Sequence, residues 1–312
     1  MAQQSFDPGL SQKFTGNIRR AINKDGSFNV RRLGLGWQNF HVYQHLVTIS
    51  WFKFFVYIIA GYVLTNVLFA FVYLAAGINN LHGANASSMG WAFADAFFFS
   101  AHTLTTVGYG NMYPDSFWFN VIAAAEAMVG LLAFALGTGL LYGRFSRPTA
   151  SLIFSEHAII APYQDKTALE FRVANRRLTN TLIDVEIKVL LMTVEKNGDG
   201  QLMRQYHPVK LERTSVYFLP LTWTVVHPID ETSVLYNKTK EDLANLQAEF
   251  MILLKGFDDT FNQSVHARYS YTHKEITEGR RFTQAFYIND EGEMVLEMDK
   301  IGKTEPVGTI NI

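Results

Sequence analysis

Thr105-Thr106-Val107-Gly108-Tyr109-Gly110 lies a third of the way along the 312-residue chain, and its surroundings decide how the rest is read. Before it, Trp91 to His102 is an apolar run of about 12 residues, too short for a bilayer core that takes about 20. Such a run suits a re-entrant helix that enters the membrane and stops. The glycine-containing backbone after it is tolerated at membrane depth only where it lines a water- or ion-filled cavity.

Working outward, the motif is bracketed by two segments long enough to span. Trp51 to about Gly77 is the first, with Lys53 near its start able to snorkel to the interface. From Phe54 to Ala94 the chain has no Asp, Glu, Lys or Arg. The second runs from about Phe117 to Tyr142, and Asp115 or Ser116 is placed to cap its start. Between the spans, Ile78 to Ser116 contains no Lys or Arg, whereas the arm before them carries Lys13, Arg19, Arg20, Lys24, Arg31 and Arg32, and Arg144 and Arg147 follow. The positive-inside rule puts both termini in the cytoplasm of a multi-pass membrane protein. Trp37 to Ile49 has helical apolar spacing and is expected to lie as a short helix in the interface, or to form the first turns of the span. Residues 1–50, 51–147 and 148–312 are thus expected to be arm and interfacial helix, membrane domain and soluble domain.

The soluble part reads as a β-sandwich. Leu169 to Val173 and Ile183 to Val189 alternate apolar and polar, Asn197 to Gly200 is a turn, and Phe250 to Leu254 is a continuous apolar strand. Lys240 to Gln247 is the one expected helix there. The chain has no cysteine, so disulfides and thiolate chemistry are excluded. The formal net charge of −1 gives no sign of a nucleic-acid partner. Neither a zinc-binding His pair, a nucleophile elbow nor a phosphate-binding glycine loop occurs, so an enzyme is not expected and no cofactor is implied.

The motif between two spans predicts a potassium-selective filter. A dehydrating ion needs rings of backbone carbonyls to replace its water, supplied by several subunits around one axis, four in this pattern. Carbonyls of Thr106, Val107, Gly108 and Tyr109 would form the ladder that binds potassium, the Thr106 hydroxyl would close its inner end, and Thr105 and Gly110 would support it. Val107 and Tyr109 side chains would pack behind it, and Asn111-Met112-Tyr113 would form the outer mouth. Asp95 and Asp115 are the acidic residues of the external segment, placed to attract cations or to cap loops. A non-selective cation pore would be expected to alter this filter, and a membrane-anchored binding module would leave it unexplained.

Within the second span, Gly130, Gly137 and Gly139 fit either close packing or bending. Phe134 and Tyr142, eight residues apart, share a face that could constrict the pore. Glu126 is the span's one charged group, expected behind the filter and hydrogen-bonded to groups there. His102, His207 and His227 fit pH sensing, or simple buried or capping roles.

Several stretches beyond the filter carry a resemblance: Arg144-Phe145-Ser146-Arg147-Pro148, Leu152-Ile153-Phe154-Ser155, Glu170 to Arg177, and Leu221 to Asp230 followed by Ser233-Val234-Leu235-Tyr236. Over roughly residues 35 to 300 the chain resembles the inwardly rectifying potassium channel family, most closely its prokaryotic members. That resemblance implies an immunoglobulin-like cytoplasmic sandwich, a homotetramer, a cytoplasmic constriction around Phe261-Asn262-Gln263, and a bacterial inner-membrane location. It also implies sensitivity to anionic phospholipids or phosphoinositides, for which Arg31, Arg32, Lys53, Arg144 and Arg147 are the candidate contacts; plain headgroup contact without regulation is the other reading of that basic set. Polyamines, magnesium and barium are the pore blockers implied. The family's strongest rectifiers carry an acidic cavity residue where this chain has Phe134; Asp258 and Asp259 could supply acidic lining lower down, or be ordinary solvated surface groups.

Overall fold

A computed structural model describes residues 8–12, 20–34, 41–146, 151–177, 182–196 and 198–307. The chain divides into two compact units, Gly34–Arg147 and, together, Met1–Leu33 with Pro148–Ile312.

The first unit is helical. α1 (Val42–Thr48) precedes α2 (Trp51–Gly77), which starts on a Ser50 cap. Its 27 residues are about 40 Å long at 1.5 Å each, enough to span a bilayer. α3 (Met89–Leu104) is longer than the apolar run suggests, because Ser88 caps it three residues ahead of Trp91 and Thr105 ends it. α4 (Phe117–Phe145) is the second span, and Ser116, not Asp115, is its cap. Interior-facing residues of α2 are few and regularly placed: Asn66, Ala70 and Tyr73 line one face. Ala70 and Tyr73 pack with Ala96, Phe99 and Phe119 of the other two helices. Ring contacts of Tyr73 with Phe119 (4.8 Å) and Phe99 (5.1 Å) centre this core.

Two short strands, β1 (Leu81–His82) and β2 (Tyr113–Pro114), pair antiparallel and fasten the loop after α2 to the loop before α4. Gly83 makes that closure possible: at φ 83°, a Cβ there would lie 2.4 Å from the Asn111 carbonyl oxygen. Asp95 accepts the Asn85 N–H (2.7 Å), which makes it a loop anchor.

α1 covers only the second half of the expected interfacial segment; residues 35–40 lie outside the described residues. It packs against the end of α4, where a Cβ on Gly143 would lie 2.7 Å from the Tyr43 hydroxyl. Arg144 donates to the carbonyls of Leu46 (2.5 Å) and Ile49 (2.7 Å), closing the end of α1, and stacks over Trp51 and Phe54.

The second unit is a sandwich of two five-stranded sheets. Its strands in chain order are β3 (Leu152–Phe154), β4 (Ala158–Tyr163), β5 (Lys166–Asn175), β6 (Leu182–Lys196), β7 (Leu202–Val209), β8 (Ser215–Phe218), β9 (Thr222–Ile229), β10 (Glu249–Asp258), β11 (Gln263–Thr272) and β12 (Ile276–Glu278). One sheet runs β11-β10-β6-β7 with β8 also on β6; the other runs β12-β4-β5-β3 with β9 also on β5. Alternate residues of the strands meet between the sheets: Leu169, Phe171 and Val173 of β5 against Val185, Ile187, Val189 and Leu191 of β6 and Phe250, Ile252 and Leu254 of β10. α5 (Lys240–Asn245) is the helix expected over 240–247, started by a Thr239–Asp242 capping box. Two small strand pairs complete the unit, β13 (Arg280–Phe282) on β16 (Thr304–Pro306) and β14 (Phe286–Ile288) on β15 (Met294–Leu296).

Within residues 1–50, expected to hold an arm and an interfacial helix, the described residues 20–33 fall in the same compact unit as the sandwich. Residues 20–30 belong with the sandwich because their backbone is bonded to it. Glu249 accepts the N–H groups of Ala21 (2.7 Å) and Ile22 (3.2 Å), and Ile22 is buried against Met192, Tyr206 and Met251. Arg20 pairs with Glu275 and donates to the Ser270 carbonyl (2.9 Å).

Candidate functional site

The filter segment has an alternating backbone. Thr105 has φ −84°, Thr106 +57°, Gly108 +55° and Gly110 +81°, while Val107 and Tyr109 stay negative. A chain alternating between right- and left-handed conformations puts successive carbonyls on one side and successive N–H groups on the other. Three N–H groups turn back to α3: Thr106 donates to Thr103 (3.0 Å), and Val107 (2.9 Å) and Gly108 (3.3 Å) both donate to His102. These acceptors are orphan carbonyls of the last turn of α3. The carbonyls of 106–109, on the opposite side, have no hydrogen-bond partner among the described residues. The negative end of the α3 dipole lies behind this row.

Thr106 is the strained member. A β-branched residue at positive φ is an outlier, held here by the three N–H bonds around it and by Thr105, whose hydroxyl donates to Ala101 (2.6 Å). Tyr109 sets its ring edge-on to His102 at 4.7 Å. His102 thus holds residues 107–109 in two ways, by its carbonyl and by its ring.

Glu126 is fully buried and is the meeting point of three helices. Tyr73 of α2 donates to its Oε2 (2.5 Å), and Ser100 of α3 contacts its Oε1. Ser100 Oγ also lies 2.9 Å from Asn66 Oδ1, and the Asn66 amide donates to Tyr62 (2.8 Å). Sequence reasoning singled out Glu126 but missed Asn66, Tyr73 and Ser100. A signal existed for Asn66: it is an amide in the middle of an apolar span, which needs a partner there.

Gly130 is decided in favour of packing, since a Cβ there would fall 1.9 Å from the Leu104 carbonyl oxygen. Gly137 and Gly139 have open space around them. Phe134 and Tyr142 are 76% and 74% exposed in the single subunit.

Of the basic residues, Arg31, Arg32 and Lys53 are exposed, Arg144 is engaged with α1, and Arg147 lies outside the described residues. The β10–β11 turn carries Phe261, Asn262 (φ 52°) and Gln263. Asp258 is neither a solvated surface group nor a free acidic lining: it is buried, pairs with Arg177 (3.2 Å) and accepts the Phe261 N–H (3.1 Å). Asp259 is exposed. His227 is buried and satisfied on both nitrogens. Nδ1 donates to the Lys210 carbonyl (2.5 Å), and Nε2 accepts from Ser233 (2.7 Å). Burial pushes its pKa below the ordinary 6.5, partly offset by the Lys210 bond.

Two bilayer-length helices, a half-length helix aimed into a carbonyl-lined segment, and a β-sandwich define the subunit of an ion channel with a soluble β-domain. Family models agree with both parts: residues 152–312 match the inward rectifier potassium channel C-terminal domain, and residues 45–146 match the ion channel family. The inward rectifier potassium channel Kirbac3.1 of Paramagnetospirillum magnetotacticum is 38% identical over 284 residues, 90% of this chain and 94% of that one. The G protein-activated inward rectifier potassium channel 1 of Homo sapiens is 25% identical over 93% of this chain, which spans 62% of that longer relative. This chain belongs to the inward rectifier potassium channel family, in its bacterial-type form. Among solved structures, the Bacillus subtilis sporulation control protein Spo0M aligns with a TM-score of 0.23 and 11% identity over 45% of the chain, too low to bear on the fold.

Proposed function

We propose that four copies of the chain surround one axis as a potassium-selective pore. The observation that carries this is the alternating backbone of 105–110, with its N–H groups bonded to α3 and its carbonyls turned the other way. One row binds nothing well; four rows form rings that replace the hydration shell. Thr106, Val107, Gly108 and Tyr109 bind the ion, and Thr105, Gly110 and Glu126 hold them. Potassium is the permeant ion, not a resident cofactor.

Three domains serve that pore: an arm with an interfacial helix (1–50), the membrane domain (51–147) and the cytoplasmic sandwich (148–312). Both termini face the cytoplasm of a bacterial inner membrane, as the distribution of Lys and Arg favours. Phe134 and Tyr142 line α4 where it constricts the inner pore and gate it by dewetting. Phe261, Asn262 and Gln263 form a second constriction below. Arg31, Arg32, Lys53 and Arg147 contact anionic phospholipids or phosphoinositides, each gaining about 1 kcal/mol near a charged leaflet, while Arg144 braces α1. Barium blocks at the filter; polyamines and magnesium are the remaining candidate blockers, weakened by the apolar side chain at 134.

The test is rubidium uptake by liposomes of anionic lipid loaded with potassium chloride, with purified protein, with and without phosphatidylinositol bisphosphate. Rubidium uptake that exceeds sodium uptake and stops with barium is expected. Equal sodium uptake would end the selectivity reading, and indifference to the charged lipid would end the lipid reading.

A further inference from the structure

Glu126 and Gly130 lie four residues apart on α4, so one helix face presents both. The residues they meet on α3, Ser100 and Leu104, are also four apart. The two helices are therefore joined by two rungs at matching spacing. On one rung Ser100 Oγ touches the Glu126 carboxyl. On the other the backbones themselves touch, since a Cβ on Gly130 would lie 1.9 Å from the Leu104 oxygen and 2.8 Å from its carbonyl carbon. Leu104 ends α3, and the adjacent His102 and Thr103 carbonyls accept the filter N–H groups. Any shift of the last turn of α3 is therefore carried directly to Thr106, Val107 and Gly108.

The first rung has a definite hydrogen count. Ser100 has one hydroxyl hydrogen and two oxygens beside it, Asn66 Oδ1 and Glu126 Oε1. The Asn66 amide is oriented by its bond to the Tyr62 carbonyl, which leaves Oδ1 as an acceptor with nothing to give. Ser100 satisfies that acceptor. The count closes when the side chain at 126 accepts from Tyr73 and donates to Ser100 Oγ, which a neutral carboxyl or a carboxamide does and a carboxylate does not.

We propose that Glu126 and Gly130 are specificity-determining positioning residues. Through these two rungs α4 fixes the end of α3 and thereby the spacing of the filter carbonyls, and the group at 126 works as donor and acceptor together. The proposal rests on the reading of 105–110 as a potassium filter.

The experiment uses the full-length protein in liposomes and reads two filter properties, the rubidium-to-sodium uptake ratio and the barium concentration for half block. Variants are Glu126→Gln, Glu126→Ala, Ser100→Ala and Gly130→Ala, each checked for the size of the wild-type assembly in detergent. Glu126→Gln is expected to stay within about twofold of wild type on both readouts. Glu126→Ala, Ser100→Ala and Gly130→Ala are expected to lower the ratio and weaken barium block about tenfold, equivalent to about 1.4 kcal/mol. A role in stability alone would lower the yield of assembled protein and leave both readouts unmoved, and that result overturns the proposal. Glu126→Gln behaving as Glu126→Ala overturns the donor-and-acceptor assignment. If Gly130→Ala does not assemble, the Glu126→Ala and Ser100→Ala pair decides. Wild-type protein that takes up sodium as readily as rubidium overturns the filter reading, and this proposal with it.

Discussion

Gly108 illustrates what a single residue does in this chain. Its φ of +55° belongs to the left-handed region, where an L side chain costs about 1–2 kcal/mol. A Cβ at 108 would meet nothing within 4 Å in the subunit, so steric crowding there is not the obstacle. The obstacle is the backbone, and four subunits multiply it around one ring. Gly108→Ala is therefore expected to yield protein of normal size with selective rubidium uptake lost; uptake at the wild-type ratio would show that the alternating hand of 105–110 is dispensable. His227 shows the opposite kind of constraint, a polar group built in for stability. Its folded pKa lies below 6.5 through burial, so as pH falls the unfolded chain takes up the proton first. The native state keeps this contribution above about pH 6.5 and loses it progressively as pH falls through the folded value. The thermal midpoint of the protein should drop between about pH 7.5 and about pH 5.5, and His227→Asn, which keeps a donor toward Lys210 but does not titrate, should show a shallower dependence. Equal slopes in the two proteins would assign the pH response to other groups.

Strand β10 is the element whose sequence is best explained by the structure. An alternating pattern suits a strand buried on one face, yet Phe250, Met251 and Ile252 are all buried. Phe250 and Ile252 face the other sheet, and Met251 faces outward onto Ile22 of the N-terminal segment. Glu249, 2% exposed, completes the attachment by accepting two N–H groups of that segment. Glu249→Ala would leave both donors unpaired, at about 1–3 kcal/mol each when buried. Hydrogen exchange at Ala21 and Ile22 should rise well before exchange in β5 or β6 does; uniform protection would mean that the segment is held by Ile22 and Arg20 alone. The apolar continuity of 250–254 was readable in the sequence, but its cause was not, because the covering residue lies more than 200 positions away in an arm that reads as polar. The same limit applies to the membrane unit. Period and length gave both spans nearly to the residue, since apolar runs and capping serines are local signals. Tyr73 of α2 and Ser100 of α3 gather on Glu126, with Asn66 behind Ser100, and no local pattern announces such a meeting. The backbone hand at Thr106 was equally hidden, as threonine is a residue from which a left-handed conformation is not expected.

At the scale of the whole channel, the exposed faces of one subunit become an argument about four. Phe134 and Tyr142 are large and about three-quarters exposed in a lone chain, on the part of α4 beyond the stretch that Glu126 and Gly130 hold against α3. Surfaces of this kind on a spanning helix contact lipid, a neighbouring subunit or the pore. In the proposed tetramer, position 134 is one helical turn past Gly130 toward the cytoplasmic end and contributes four side chains to one level of the cavity. Four phenyl rings there make it apolar and give a polyvalent cation no partner. Four carboxylates at the same level would face one another in a low-dielectric setting, where a multivalent cation is the natural counter-charge. Phe134→Asp is accordingly expected to raise the sensitivity of rubidium uptake to spermine by at least about tenfold, about 1.4 kcal/mol, while the rubidium-to-sodium ratio, set at the filter, stays unchanged. Raising ionic strength should weaken the new block, because the attraction is electrostatic. If Phe134→Asp assembles and conducts but spermine acts as weakly as on the parent, position 134 faces lipid or a helix neighbour, and the pore-lining face of α4 must be sought on the side of Gly137, where the open space around the glycine leaves room for a ring of four.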